Sequence, residues 1–106
     1  MTKTILITGA GGGIGRACIH HFSEHGWRVI GVDRNDFGDD FPKNGRFIKA
    51  DISHPDSVEQ IFQQAKDFHP TLDALVNNAA VQVAKPLVET TVDEWDAVMA
   101  SNLRSV

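Results

Sequence analysis

The chain has 106 residues, a hydrophobic fraction of 42% and a formal net charge of −4. This length accommodates one hydrophobic core, so residues 1–106 are expected to form one domain. The basic residues are scattered along the chain, which argues against a nucleic-acid partner. The N-terminal apolar run is too short for a signal peptide or a membrane span, and the single cysteine, Cys18, excludes an internal disulfide. These observations predict a cytoplasmic protein that binds neither nucleic acid nor membrane.

The first structural signal is an apolar run that ends in a glycine-rich loop. Residues 5–7 favour a β-strand, the run stops at Thr8 and Gly9, and four more glycines precede Arg16, where helix-compatible residues resume. Glycine has no Cβ to keep an anion away from backbone N–H groups, and a helix N-terminus carries a partial positive charge. The stretch is therefore typical of a phosphate site, with a glycine-rich loop that binds no ligand as the alternative.

Three later segments carry apolar residues at helical spacing. The first helix is expected over about 13–25, with Gly26 as its left-handed cap. The second follows a capping-box pattern formed by Ser53 and Asp56, and the third follows a better capping box formed by Thr91 and Glu94. The predicted apolar faces comprise Val58, Ile61, Phe62, Ala65 and Phe68 in the second helix, and Val92, Trp95, Val98 and Met99, together with Asn102, in the third.

Strand-like segments alternate with these helices. They cover the run before Thr8, then 28–33, 46–51 and 72–80, while 35–46 is expected to be an irregular surface loop. Alternation of strands and helices implies parallel strands joined by right-handed crossovers, which form a doubly wound α/β sheet. With the first strand at the centre, the strand order is 3-2-1-4, and a crevice opens at the carboxyl ends of the strands.

The glycine spacing distinguishes between two kinds of dinucleotide loop. It does not fit G-x-G-x-x-G, but it fits T-G-x-x-x-G-x-G through Thr8, Gly9, Gly13 and Gly15. With the sequence 77–79, Asn-Asn-Ala, after the fourth strand, this motif resembles the short-chain dehydrogenase/reductase family along the whole chain. The resemblance implies a Rossmann-type fold, here ending before the family's fifth strand. It also implies NAD(P)-dependent alcohol–carbonyl interconversion by hydride transfer.

A second branch of that family remains an alternative. Gly12 also satisfies the T-G-x-x-G-x-x-G spacing of the extended branch, which includes sugar-nucleotide epimerases and dehydratases. The Asn-Asn-Ala sequence favours the ordinary branch, because the extended branch more usually has His-Leu-Ala there.

The end of the second strand bears on the choice of cofactor. A carboxylate at Asp33 can accept hydrogen bonds from the adenosine ribose hydroxyls and would repel a 2′-phosphate. Arg34 is the opposing observation, because an arginine there can pair with that phosphate. We therefore expect NAD rather than NADP, with a solvated acid at the strand end as the alternative role for Asp33.

Other site residues follow from the resemblance. It implies that Asp51 and the backbone N–H of Ile52 contact adenine, although Asp51 by itself could equally help to start the helix near Ser53. Ala80 stands where the family usually has glycine. The expected cofactor-binding residues are Thr8, Gly9, Gly11, Gly12, Gly13, Ile14, Gly15, Asp33, Arg34, Asp51, Ile52, Asn78, Ala79 and Ala80.

The expected catalytic contribution is limited to one residue. Asn102 matches the helix asparagine of the family's catalytic set, which the resemblance implies holds a water in a proton relay; an ordinary polar residue on a helix face is the alternative. The family's reaction also needs a Ser and a Tyr-x-x-x-Lys pair, and this chain contains no tyrosine. We expect the chain to be inactive alone and to bind a small-molecule substrate only if a C-terminal half is supplied.

A non-catalytic role is the competing interpretation. The chain could be a dinucleotide-binding or self-associating module, because without a fifth strand the fourth strand presents an apolar edge. Self-association is expected through that edge and the last helix. His21 and His25 are four residues apart on a helix, but no further ligand is nearby, and no metal is predicted.

Overall fold

A parallel four-stranded sheet lies at the centre of the computed structural model, which describes residues 2–106. Numbered along the chain, its strands lie in the order 3-2-1-4, as predicted. All three strand pairings are parallel, so this is the doubly wound, Rossmann-like arrangement. The strands are β1 Thr4–Thr8, β2 Arg28–Asp33, β3 Gly45–Lys49 and β4 Ala74–Val76; the α-helices are α1 Gly13–Glu24, α2 Pro55–Phe68 and α3 Val92–Met99; a 3-10 turn covers Leu87–Glu89 and a π-helical segment Ala100–Arg104.

The sheet is covered on both faces because side chains alternate along each strand. Ile5 and Ile7 of β1 pack in one cluster with Ile19 of α1. Leu6, between them, packs in the opposite cluster with Ile61 of α2. All five residues are buried, and this two-sided burial explains why β1 reads as a continuous apolar run rather than an alternating one.

The first helix agrees closely with its sequence signals. Gly26 has φ of +86°, the left-handed conformation predicted for it, and its N–H donates to the carbonyl of Ser23. The exception is Ile14, which helical spacing alone would place on the apolar face of this helix. Its side chain is 74% exposed, because it lies at the cleft described below.

The prediction of a capping box at the second helix was wrong. α2 begins at Pro55 after His54 as its cap residue. The N–H and hydroxyl of Ser53 instead donate to Asp51 Oδ1, at 2.9 and 2.7 Å. The local Asp51–Ser53 turn therefore displaces the pattern that spacing alone suggested. Phe62, expected on the buried face, is 45% exposed.

The fourth strand is shorter than its apolar pattern predicted. Pairing with β1 covers only Ala74 to Val76. Beyond it, the N–H groups of Asn78 and Ala79 donate to the side-chain hydroxyl of Thr8 rather than to a backbone carbonyl of β1. The Thr8 hydroxyl thus ends the strand ladder by accepting the N–H groups that follow Val76.

The loop between β2 and β3 is only partly the surface loop that its composition predicted. Phe37 is 4% exposed and packs in the same cluster as α1. Its ring lies 5.0 Å from that of Phe41 and 5.7 Å from that of Phe47, measured between centroids. Burial of these aromatic side chains overrides the loop-forming tendency of the surrounding Asp, Gly and Asn residues.

The capping box predicted for the last helix is confirmed. Thr91 and Glu94 exchange side-chain-to-backbone hydrogen bonds, each of 3.1 Å. Lys85 also donates to the Glu94 carboxylate at 2.8 Å. Chiefly through this Lys85 bond, and then through the Thr91 N–H, the pKa of Glu94 falls from 4.5 to about 2.

No helix within residues 2–106 combines the length and apolar composition needed to cross a bilayer.

Titration of Glu94 should follow this lowered pKa. Because the pKa in the folded chain lies below the ordinary value, the stabilisation of α3 by this carboxylate is complete above pH 4.5 and is lost as the pH falls toward 2. Carboxyl chemical shifts in NMR should show a midpoint near 2, and Lys85→Met should move it back toward 4.5. An unchanged midpoint in the variant would contradict the assigned cause.

Candidate functional site

A cleft of about 500 Å³ opens at the carboxyl ends of the strands. The glycine loop, the end of β2, the turn after β3 and the segment after β4 form its walls. All the expected cofactor-binding residues except Thr8 and Gly11 line this cleft. Thr8 is hydrogen-bonded to Ala79, and Gly11 is hydrogen-bonded to Asp33. The lining comprises Gly9, Gly12, Gly13, Ile14, Gly15, Val32, Asp33, Arg34, Asn35, Ala50, Asp51, Ile52, Asn78, Ala79, Ala80, Val81 and Ser101.

Five of these lining residues were not predicted. Val32, Asn35, Ala50 and Val81 each adjoin a predicted residue in the chain, so strand-end position is a signal that could have found them. Ser101 lies next to Asn102 in the π-helical segment, and only the folded structure brings it to the cleft.

The glycines of the loop have two different physical roles. Gly9 has φ of +67°, and a Cβ on it would lie 2.8 Å from Asn78 Nδ2 and 2.9 Å from Ala79 Cα. A Cβ on Gly15 would overlap the carbonyl oxygen of Gly9. A Cβ on Gly13, by contrast, would meet no atom of residues 2–106 within 4 Å outside its own helical turn. Gly15 therefore allows the loop to close on itself and Gly9 allows it to approach the segment after β4, while Gly13 leaves space open in the cleft.

Thr8 joins the glycine loop to the end of β4. Its hydroxyl accepts the N–H of Asn78 at 3.1 Å and the N–H of Ala79 at 3.0 Å, and donates to the Val76 carbonyl at 3.4 Å. In return, Asn78 Nδ2 donates to the carbonyls of Thr8 and Gly9, at 3.1 and 3.4 Å. These bonds set the relative positions of two walls of the cleft.

The carboxylate of Asp33 is oriented by two backbone N–H groups. Gly11 donates to Oδ2 and Asn35 to Oδ1, each at 2.9 Å. A Cβ on Gly11 would lie only 3.1 Å from Oδ2, so a side chain there would push the Asp33 carboxylate back by a few tenths of an ångström. A carboxylate oxygen has lone pairs for more than one donor, and both oxygens remain able to accept from a ligand in the cleft.

Asp51 lies at the cleft and also stabilises the turn before α2. The side-chain bond from Ser53, followed by the bond from its backbone N–H, lowers the pKa of Asp51 below its ordinary value. His54 Nε2 lies 3.7 Å from Asp51 Oδ2. Asp51 thus shapes the turn that leads to α2, while contact of Asp51 and Ile52 with adenine stays a prediction.

Asn102 connects the last helical segment to the chain after β4. Its Nδ2 donates to the carbonyl of Val81 and its Oδ1 accepts the N–H of Val81, both at 2.8 Å. Asn102 belongs to the π-helical segment that follows α3, a type of irregularity often found at functional sites. The side chain fixes Val81, a cleft residue; the water-holding role stays a prediction.

No cluster of three or more His, Cys, Asp and Glu side chains suited to a metal ion occurs within residues 2–106. His21 and His25 stack with ring centroids 4.3 Å apart, and His25 Nδ1 lies 2.7 Å from the His21 carbonyl. These contacts are internal to the end of α1.

The sheet order, the glycine turn that opens α1 and the cleft at the strand ends define a Rossmann-like α/β protein. The chain belongs to the short-chain dehydrogenase family, whose model matches residues 3–106.

Individual relatives agree with this assignment. A 3-oxoacyl-[acyl-carrier-protein] reductase of Vibrio cholerae is 32% identical, over 98% of this chain and 45% of the relative. The crystal structure of a 3-ketoacyl-(acyl-carrier-protein) reductase of Brucella melitensis complexed with NADH has a TM-score of 0.91 and 29% identity, over 98% of this chain and 46% of that one. ElxO with NADP bound shares the fold, with a TM-score of 0.87 at 24% identity, over 99% of this chain and 46% of that one. The chain spans less than half the length of each.

Two glycine variants should separate the roles described above. Gly15→Ala forces its Cβ against the Gly9 carbonyl oxygen and should lower the free energy of unfolding by about 1–3 kcal/mol or more. Gly13→Ala meets open space and should change it by less than about 1 kcal/mol. Urea denaturation followed by circular dichroism would measure both, and equal losses would contradict the distinction.

Proposed function

We propose that this chain is the cofactor-binding portion, over residues 1–106, of an NAD-dependent oxidoreductase that interconverts alcohols and carbonyls. The main support is that one cleft contains both open space at Gly13 and a carboxylate, that of Asp33, held in one orientation. The NADH complex of the Brucella melitensis structure supports the choice of cofactor class.

The residues present fit a dinucleotide. Gly12 and Gly13 expose backbone at the N-terminus of α1, where the helix dipole favours the negative charge of a pyrophosphate. Asp33 would accept from the adenosine ribose, Asp51 and Ile52 would lie against adenine, and Asn78, Ala79 and Ala80 would face the nicotinamide half. Bound there, the cofactor supplies hydride transfer.

The preference for NAD depends on two adjacent side chains of opposite charge. Asp33 would repel a 2′-phosphate, because the phosphate would bring a second negative charge against an already oriented carboxylate. Arg34 lines the same cleft and would offset part of that repulsion. We propose that the Asp33 effect prevails, since ribose hydroxyls can use its free lone pairs directly.

Turnover would require residues that this sequence does not contain. With no tyrosine, the chain has no Tyr-x-x-x-Lys acid/base pair. We propose that it is inactive alone and that substrate binds only when the second half of a family protein is supplied. Asn102 would contribute by fixing Val81 beside the cleft and holding a water. A reducing, cytoplasmic location is compatible with the free thiol of Cys18.

Calorimetric titration of the chain with NAD+ and NADP+ tests this site. The unmodified chain should bind NAD+ more tightly, and Gly13→Val should weaken NAD+ binding by about tenfold or more, because the added side chain occupies the open space. Ala17→Val provides a matched control, since it adds similar bulk to an exposed position of the same helix. Absence of binding to either cofactor would contradict the proposal.

The roles of the two charged residues can be measured in the same titration. Asp33→Ala should lower the ratio of NAD+ affinity to NADP+ affinity, and Arg34→Met should raise this ratio. If Asp33→Ala weakens both cofactors by the same factor, the carboxylate does not select between them.

Self-association is a second candidate function. Within residues 2–106, β4 pairs with β1 on one side and with no strand on the other. Leu75 of β4 is 45% exposed and Trp95 of α3 is 55% exposed. An unpaired strand edge carrying apolar side chains favours pairing with another chain.

Sedimentation velocity over a range of protein concentrations tests self-association. The unmodified chain should form dimers or larger species as its concentration rises. Leu75→Lys should shift the population toward monomer by placing a charge on the edge strand. Val88→Lys, at a position 94% exposed in the 3-10 turn, is the control. A monomer at every concentration would exclude this function.

A further inference from the structure

Arg16 lies in the first turn of α1, but its guanidinium group binds the loop between β2 and β3. Nη1 donates to Asp39 Oδ2 at 3.0 Å, and Nη2 donates to the carbonyl of Phe37. The guanidinium carbon lies 4.0 Å from the centroid of the Phe37 ring. Nη2 also reaches the carbonyl of Gly11 at 3.5 Å. One side chain thus connects the glycine loop with the loop that follows β2.

The Phe37 end of this connection is firmly anchored. Phe37 belongs to the buried core and packs against Phe41 and Phe47. Asp39, in contrast, has a side chain that is 73% exposed, so its ion pair with Arg16 contributes little. The stacking on Phe37 and the bonds to the Phe37 and Gly11 carbonyls are therefore the contacts that hold Arg16 in place.

Gly11 links the Arg16 side chain to the Asp33 carboxylate in the cleft. Its carbonyl accepts from Arg16, while its N–H donates to Asp33 Oδ2 at 2.9 Å. Asp33 Oδ1 is bonded to the N–H of Asn35, which begins the loop that Arg16 holds. Both bonds that orient the Asp33 carboxylate therefore come from segments that Arg16 contacts or adjoins.

We propose that Arg16 is a positioning residue that fixes Asp33 in its ribose-binding orientation and so strengthens the preference for NAD over NADP. The inference rests on the proposed cofactor site. With Arg16 in place, a 2′-phosphate meets a carboxylate that cannot rotate away without breaking the Gly11 and Asn35 bonds. Without Arg16, the two segments separate more readily, Asp33 gains freedom, and its discrimination against the phosphate weakens.

The direct test compares Arg16→Met with the unmodified chain. Calorimetry with NAD+, NADP+ and nicotinamide mononucleotide should show NAD+ binding weakened about tenfold and NADP+ binding weakened less, so that the ratio of their affinities falls. Binding of the mononucleotide, which has no adenosine ribose, should be unchanged. Arg46→Met removes the same charge from an exposed position of β3 and should leave all three affinities as they were.

A second variant and a second measurement distinguish the positioning of Asp33 from a general loss of structure. Arg16→Lys keeps the positive charge but cannot stack and fork in the same way, so it should lower the NAD+ to NADP+ ratio as well. Hydrogen exchange of the Gly11 amide, followed by NMR, should accelerate in Arg16→Met more than exchange of the core amide of Leu6.

The outcomes separate this inference from the function on which it rests. If the unmodified chain binds neither dinucleotide, the proposed function fails and this inference fails with it. If the unmodified chain prefers NAD+ and both Arg16 variants retain the same ratio, only the role of Arg16 is overturned. Equal weakening of NAD+ and the mononucleotide would also overturn it, because it would indicate general damage to the cleft.

Discussion

The close approach of Gly15 to the carbonyl oxygen of Gly9 is the constraint on which the site depends. A side chain at Gly15 would overlap this carbonyl and hold β1 and α1 apart, and a side chain at Gly9 would contact Asn78 and Ala79 and push the loop away from the end of β4. With glycine at both, the chain turns directly from a buried strand into a helix, and the helix N-terminus faces the cleft. The same turn leaves Gly13 facing free space. Close packing on one side of the loop thus creates the open space on the other.

The sheet places the remaining site residues around this turn. Because parallel strands all end at the same edge, the residues after β2, β3 and β4 converge on the glycine loop although they are distant in sequence. Thr8 then ties β1 to β4 through backbone N–H groups that have left the strand ladder. The short length of β4 is consequently part of the site, since a longer ladder would use those N–H groups elsewhere.

Sequence patterns, together with the family resemblance, predicted the strand order and twelve of the seventeen residues that line the cleft, because strong local signals mark both. Apolar runs mark buried strands, glycine spacing marks the turn, and strand ends mark the site. The sequence predictions were wrong where two local conformational preferences competed, or where packing between residues distant in sequence determined the structure. Spacing could not show that Ser53 bonds to Asp51 instead of capping α2. Composition could not show that Phe37, amid loop-forming residues, joins the aromatic core with Phe41.

The contacts of Asp33 link its structural role to its proposed role at the ribose. Its carboxylate accepts N–H groups from Gly11 and Asn35, so the group that would face the adenosine ribose also holds the glycine loop against β2. A more ordered glycine loop therefore fixes more tightly the direction in which the remaining lone pairs of the Asp33 carboxylate point. Conversely, a ligand that displaces Asp33 must also release Gly11, the residue directly before Gly12 and Gly13. Order in the glycine turn and the proposed selection at the ribose thus depend on the same two hydrogen bonds.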